Sequence, residues 1–385
     1  MKWAVVRRKL AKVDRLIDKA IANAEIPGAV AMARVSWKDE VVEHLSVRGM
    51  AALRPERIPM ARVTIFDLAS LTKPIATTTA VLQLVHEGAI ALDDPVSRVL
   101  PAFSERDKDG VTLRHLLTHS SGLKPWRAYH ELLLEKERKT GEQILATSEA
   151  RESVIDRTLR SGLVHEPGKA AVYGDLDFIA LGALVEAVAQ QPLDEYCAER
   201  IFRPFGMSNT FYVRNTRAGS PLGEPERRKI AATENCPWRN RILWGEVHDP
   251  NASAMGGVAG HAGLFAPADD VMTFARTLLD AYHGRSDVLP RDLLETFFTR
   301  QKLPENSDWA LGWDTPTKGV SSSGKHFSEN SVGHLGFTGT SLWIDLEREA
   351  VVVMLTNRLH LVAKRSRFGL RPVVHDAIME AAFAG

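Results

Sequence analysis

Ser70-Leu71-Thr72-Lys73 places a hydroxyl and an amine three residues apart. On a helix's first turn that spacing puts both on one face, so the amine can reach the hydroxyl and take its proton. The helix N-terminus favours the negative charge that develops nearby. The chemistry would be nucleophilic: a serine activated by a lysine. The strand-like run Ile65–Ala69 precedes Ser70, and the helix-like run Thr77–His86 follows it. Pro74 is tolerated in a helix's first turn. The same spacing recurs at Ser121-Gly122-Leu123-Lys124 and Ser322-Ser323-Gly324-Lys325. Ser121 reads as a helix end before a left-handed Gly122, and Ser322 as a loop residue. From the local pattern alone, Ser70 also reads as an N-cap beside a solvent-facing lysine.

Histidines offer a rival chemistry. His248-Asp249 and His261 are possible metal ligands, and His115 and His119 stand four apart. Neither set has a glutamate beside the first histidine, as a metal hydrolase of this pattern needs. Cys197 and Cys236 form neither a zinc spacing nor a CxxC pair, and they imply no disulfide framework. Neither a metal nor another cofactor is expected.

The elements that must position these groups follow from apolar periodicity. Val13, Ile17, Ala20, Ile21 and Ala24 mark one face of an N-terminal helix. Ala29–Val35 and Val41–Val47 read as strands across a charged turn. From about 91 to 294 the chain reads as mostly helical, with a long excursion over 214–251 of the kind that often covers a site. Ala310–Trp313, Thr340–Asp345 and Ala350–Thr356 read as strands, and a helix closes the chain over about 372–382. The expected fold class is α/β (α+β): an antiparallel sheet built from both termini and flanked by helices, with an inserted, mostly helical lobe. Residues 1–75 and 300–385 would form the sheet domain and 76–299 the lobe, with a site in the cleft between them.

Composition narrows the partners. Lys+Arg is 49 and Asp+Glu is 48 in 385 residues, a net charge of +1 that gives no footprint for nucleic acid. The basic run Lys364-Arg365-Ser366-Arg367, with Arg371 beyond, reads as a solvated loop. Met1–Arg8 has no long apolar stretch, and no segment reaches the apolar length of a membrane span. These features lead to an expected soluble, cytoplasmic protein, or a periplasmic one if a leader has been removed.

Two further motifs join Ser70. Tyr173-Gly174-Asp175 stands where a Tyr-x-Asn element would, and His334-Leu335-Gly336 where a Lys-Thr-Gly element would. With Leu113–Gly122 and Gly256–Phe265 around them, the chain resembles the penicillin-recognising serine hydrolases from about residue 14 to 357. These are the β-lactamases, DD-peptidases and their esterase relatives. The likeness is greatest to the class C and family VIII-type esterase branch, where the second element carries a tyrosine.

The resemblance implies a β-lactamase/transpeptidase-like fold and an acyl-enzyme on Ser70. It gives Lys73, with a lowered pKa, and Tyr173, with a phenol depressed by Lys73, the proton transfers. It places the oxyanion between the N–H groups of Ser70 and Phe337. His334 would join the catalytic set, and Asp175 and Gly336 would contact substrate. Asp175 is equally an N-cap for the helix starting near Leu176, Tyr173 a half-buried aromatic, and His334 an ordinary strand histidine. Among the tryptophans, Trp313 and Trp343 are expected to approach the site, with Trp313 binding substrate. His334 replaces a permanent cation, and an ionised Asp175 cannot donate as asparagine does. Both changes turn the reading from penicillins towards a carboxylesterase acting on a small acyl ester. A β-lactamase, a D-amino-acid-specific peptidase or amidase, and a non-catalytic penicillin-binding sensor are the alternatives. The partner is a small acyl substrate: ester, lactam or D-aminoacyl amide.

Overall fold

The computed structural model describes residues 2–37, 40–106, 108–361 and 369–383. The basic run Lys364-Arg365-Ser366-Arg367 lies outside them. Continuous apolar runs near both termini make one sheet. Gly28–Trp37 lies between Glu40–Ala52 and Ala350–Thr356, pairing antiparallel with both, so that Ala29 faces Arg48 on one side and Thr356 on the other. Ile58–Pro59 caps one edge, and Ser341–Asp345 then Ser331–Leu335 complete the other, giving six antiparallel strands. This is the mixed architecture expected from the sequence.

The central strands Gly28–Trp37 and Ala350–Thr356 are mostly apolar because both of their faces are covered, whereas the outer Glu40–Ala52 mixes exposed polar and buried apolar residues. Ala29, Ala31, Ala33, Val352 and Met354 face Val13, Ile17, Val374, Ala377 and Ile378 of the terminal helices Lys2–Ala22 and Leu370–Phe383. Val30, Val351, Val353 and Leu355 belong to the larger core with Val271, Phe274 and Leu278 of Ala268–Tyr282. Alternation along the strands assigns each set to its face. The N-terminal helix ends at Ala22, so Ala24 lies past it, exposed and at φ 54°.

Thr79–His86, Leu113–Leu117, Ser148–Leu159 and Leu193–Cys197 pack on the helix Leu176–Ala189. Every residue from Leu176 to Val185 is buried, which explains why that helix is apolar all round. No single helix among the described residues is long and apolar enough to cross a membrane.

Candidate active site

The strand Ile65–Asp67, held by Leu264–Pro267, ends in an acid. Asp67 is buried; its Oδ1 accepts from the Ala69 N–H at 2.8 Å and its Oδ2 from the His248 N–H at 2.7 Å. Burial pushes its pKa up, and these two bonds oppose the shift. The clamp holds Ala69 at φ 48°, a left-handed conformation costly for a residue with a Cβ. Ser70 follows at once and is half-buried on the cleft floor. An acid closing an apolar strand was the available sequence signal for Asp67, and motif reasoning passed over it.

Beyond Ser70 the helix does not start evenly. A 3₁₀ turn, Ala69–Leu71, leads into a wide π-type turn, Lys73–Thr78, and only then into the α-helix Thr79–His86. Pro74 has no N–H to give to an α-helical ladder, and Thr77 Oγ1 is drawn to Gly260 O at 2.7 Å.

Lys73 has no solvent-exposed side-chain surface. Its Nζ lies 3.0 Å from Ser70 Oγ, 3.0 Å from Tyr173 Oη, 2.7 Å from Asp175 Oδ1 and 3.3 Å from His261 O. The three motifs read from the sequence therefore supply one cluster and one wall. The direction of the Lys73 pKa differs from the sequence expectation. Burial pulls the amine down, but the charges of Asp175 and Tyr173 and their hydrogen bonds outweigh it and hold Lys73 above the ordinary lysine range. Tyr173 is also raised rather than depressed. Burial of its hydroxyl and the Asp175 charge outweigh the pull of Lys73, although 41% of the residue stays open to the cleft. Asp175 occupies the N-cap position of Leu176–Ala189 but makes no side-chain cap; it lines the cavity, with its Oδ1 bonded to Lys73.

His334 lines the cavity, buried among Tyr173 and Trp309 at ring distances of 5.7 and 5.9 Å. Burial, then the positive charge of Lys73, lower its pKa well below the ordinary value, so it is neutral at pH 7. With Nδ1–H donated to Leu335 O at 2.9 Å, Nε2 carries a lone pair, and no described residue bonds it. It is an acceptor where the family resemblance led one to look for a cation. Gly336 lies so near the nucleophile strand that a Cβ would meet Thr340 Oγ1 at 2.0 Å and Leu68 O at 2.5 Å. The Phe337 N–H makes no backbone bond among the described residues, and the Ser70 N–H sits in a first helical turn that offers no intrahelical partner.

The tryptophan assignments are corrected. Trp313 is 2% exposed and packs on Phe274 and Phe298 in the core. Trp343 is fully buried against Phe327 under the terminal helices. Trp309 lines the cleft instead, stacked on Tyr173 at 5.6 Å and 12°, with Trp126 further out. Trp309 and Trp313 lie in an irregular segment, where no periodicity could assign a face.

The cavity holds about 540 Å³ and is also lined by His248, Asp249, His261, Phe337, Arg358 and Arg371. Asp175, Asp249 and His261 present ligand atoms within 4.8 Å of one another, but the Lys73 ammonium fills the cation position beside Asp175, and His261 Nε2 bonds Asp249 Oδ1 at 2.8 Å. His115 and His119 do not share a site. His115 Nδ1 caps its own helix through Thr112, whereas His119 turns inward to Asp177 at 3.2 Å. Ser121 Oγ also donates to Asp177.

Comparison with known proteins gives the family of the chain. A family model described as Beta-lactamase matches residues 13–371. The protein named "Putative D-alanyl-D-alanine carboxypeptidase" of Escherichia coli (strain K12) is 32% identical over 382 residues, covering 90% of this chain and 83% of that one. The N-acetylmuramyl-L-alanine amidase of Bacillus subtilis (strain 168) is 32% identical over 379 residues, with coverage of 92% and 82%. Among solved structures, "EstCE1, a hydrolase with promiscuous acyltransferase activity" superposes with a TM-score of 0.71 at 24% identity, covering 97% of this chain and 99% of that one.

Proposed function

The chain belongs to the Beta-lactamase family of serine hydrolases, and from that premise we propose that it acts through an acyl-enzyme on Ser70. The observation that carries this is Lys73 Nζ at 3.0 Å from both Ser70 Oγ and Tyr173 Oη, at the floor of the cleft. Ser70 Oγ attacks the acyl carbonyl as its proton passes to the Lys73 amine. The oxyanion is taken up by the Ser70 and Phe337 N–H groups, donors worth about 3 kcal/mol each in such sites. Tyr173 Oη hands its proton to the leaving group and is refilled from Lys73. Water then attacks the acyl-enzyme by the reverse relay.

For substrate, we propose amides or peptides with a carboxylate beside the scissile bond. Two objections to such substrates weaken in this structure. Asp175 is turned to Lys73, so it presents no repulsive charge of its own to an acyl side chain. Arg358 and Arg371 line the cleft next to the third motif, where His334 cannot supply a cation. Arg358 Nε donates to Phe337 O and Arg371 Nη1 to Gly336 O, each at 2.9 Å. Burial, then the charge of Arg358, lower Arg371 to about 10, which leaves it cationic at neutral pH. The names of the carboxypeptidase and amidase relatives agree with this choice. The second reading is a carboxylesterase, favoured by the neutral His334 and the apolar wall of Trp126, Trp309 and Phe337.

The test is intact-mass analysis after exposure to a D-Ala-D-Ala peptide, a short activated ester and a β-lactam, with Ser70→Ala as control. Acylation of the wild-type chain, lost in Ser70→Ala, is expected, together with faster turnover of the peptide than of its carboxamide analogue. Equal turnover of the two would sink the carboxylate requirement. An unmodified wild-type chain with every probe would sink the acyl-enzyme.

A further inference from the structure

Lys73 touches the Ser70 hydroxyl but sits in an ion pair, and an ammonium cannot accept a proton. Its side chain is sealed from solvent, so a proton leaves it only through its four neighbours. Ser70 Oγ, Tyr173 Oη and the His261 carbonyl are neutral, leaving Asp175 as the only carboxylate in contact with it among the described residues. Asp175 has given up the capping bond its position offers and keeps part of its side chain open to the cleft. The remaining groups around Lys73 cannot substitute. His334 and His119 are kept neutral by burial and by Lys73 itself, and Phe178 lies 5.7 Å under the amine. Asp177 sits behind His119 with its own partners. Asp249 is bound to His261 Nε2 and the Ala252 N–H.

We propose that Asp175 arms Lys73 by taking its proton, so that the carboxylate of the cluster is a positioning and proton-holding residue rather than a substrate contact. The inference rests on the reading of Ser70 as nucleophile. The ammonium N–H bond breaks towards Asp175 Oδ1, giving a neutral amine and a carboxylic acid. The amine takes the Ser70 proton as the Oγ–C bond forms. Lys73 passes a proton to Tyr173 as Tyr173 protonates the leaving group and the C–X bond breaks. Asp175 then returns its proton to the amine, which restores the ion pair with every proton accounted for.

The isosteric Asp175→Asn keeps the shape and a hydrogen-bond acceptor but removes the charge and the base that could hold the proton. With an activated ester, kcat/KM of this variant at pH 7 is expected to fall about 100-fold or more, the usual contribution of a positioned acid–base group. Without its counter-charge the buried amine is pulled down, so the residual rate should rise with pH along that lowered titration, whereas the wild-type chain shows a plateau. In Asp175→Ala, sodium formate entering from the cleft should restore part of the rate at pH 7 by supplying a carboxylate beside the amine. A folded Asp175→Asn as fast as wild type with an unchanged pH profile, or an Asp175→Ala indifferent to formate, would overturn the proposal. The two readings fail separately. Full acylation of Ser70→Ala removes the nucleophile assignment, whereas an inactive Ser70→Ala beside an unaltered Asp175→Asn removes only the role of Asp175.

Discussion

Two serine-centred clusters share the helical side of this molecule, and they have opposite electrostatics. In the cleft, Ser70, Lys73, Tyr173 and Asp175 retain a full ion pair. Behind Tyr173, Ser121, His119 and Asp177 carry the residue types of a catalytic triad, but Ser121 is 1% exposed and its hydroxyl serves Asp177, not the imidazole. Burial has neutralised that second set: it raises Asp177 to about 8, against the bonds and charges that favour the carboxylate, and lowers His119 to about 3. Gly174 N–H points at His119 Nδ1 from 3.4 Å, so that nitrogen is an acceptor, and the proton between it and Asp177 Oδ2 belongs to the acid. A charge survives where a counter-charge touches it, and disappears where burial is complete and the partners are neutral.

The sealed cluster also scaffolds the open one. His119 O accepts from Val172 N at 2.8 Å, and the His119 ring meets that of Tyr173 edge-on at 4.8 Å. Pro125 O holds Asp175 N at 2.7 Å. The segment carrying Tyr173 and Asp175 is thus pinned from behind as well as from the cleft side.

The largest effect that would break this contrast is a pair of identical substitutions. Ser70→Ala should abolish hydrolysis of an activated ester, a loss of about four orders of magnitude or more in kcat, with the fold intact. Ser121→Ala should leave kcat within a few-fold, because its hydroxyl meets neither the amine nor solvent. Comparable losses in both variants would erase the distinction. Tyr173→Phe should cost about 100- to 10,000-fold, the span for one proton-transfer group; near-normal turnover of an amide substrate by this variant would remove Tyr173 from the relay. His334→Ala is expected to shift KM and substrate preference more than kcat, since a neutral Nε2 lone pair accepts from substrate and carries no charge. An identical ranking of ester, lactam and peptide substrates before and after the change would mean that His334 makes no such contact.

How much of this was legible in the sequence depended on whether the decisive partner was local. The sheet was readable because Ala29–Val35 and Ala350–Thr356 are apolar runs too short for anything but buried strands, and the register only had to follow. Ser70 and Lys73 were readable because their pairing needs just one helical turn. The direction of the Lys73 pKa was not, because it is set by Asp175, 102 positions away, and an acid that caps a helix looks the same in sequence as an acid that pairs across a cleft. Asp67 carried a visible signal, an acid at the end of an apolar strand, whose use appears only with His248 brought beside it. The pairing of His119 with Asp177 had no local sign, because the two stand 58 positions apart and the four-residue spacing from His115 concerns a different neighbour.

The finest probe of the contrast is the pH dependence of stability. Asp177 ionises at about 8 in the folded chain and at 3.8 in its ordinary state, so the fold binds the extra proton between those values. Its contribution is complete below the unfolded value and is lost as pH rises through about 8. His119 works the other way. Lowered from 6.5 to about 3, it favours the fold above 6.5 and withdraws that support as pH falls. Between pH 6.5 and 8 only the Asp177 shift of this pair operates, and it predicts a melting temperature that declines towards alkaline pH. Asp177→Asn keeps a donor for His119 Nδ1 and an acceptor for Ser121 but cannot ionise. Wild type already bears most of the Asp177 loss at pH 6.5, well above 3.8, so the variant should melt above wild type there, less about 1 kcal/mol for an exchanged neutral hydrogen bond, and the gap should widen towards pH 8. The variant's melting temperature should then stay flatter up to pH 8.5. Parallel curves for the two chains across that window would mean that Asp177 is ionised in the fold, and that burial has not neutralised the second cluster.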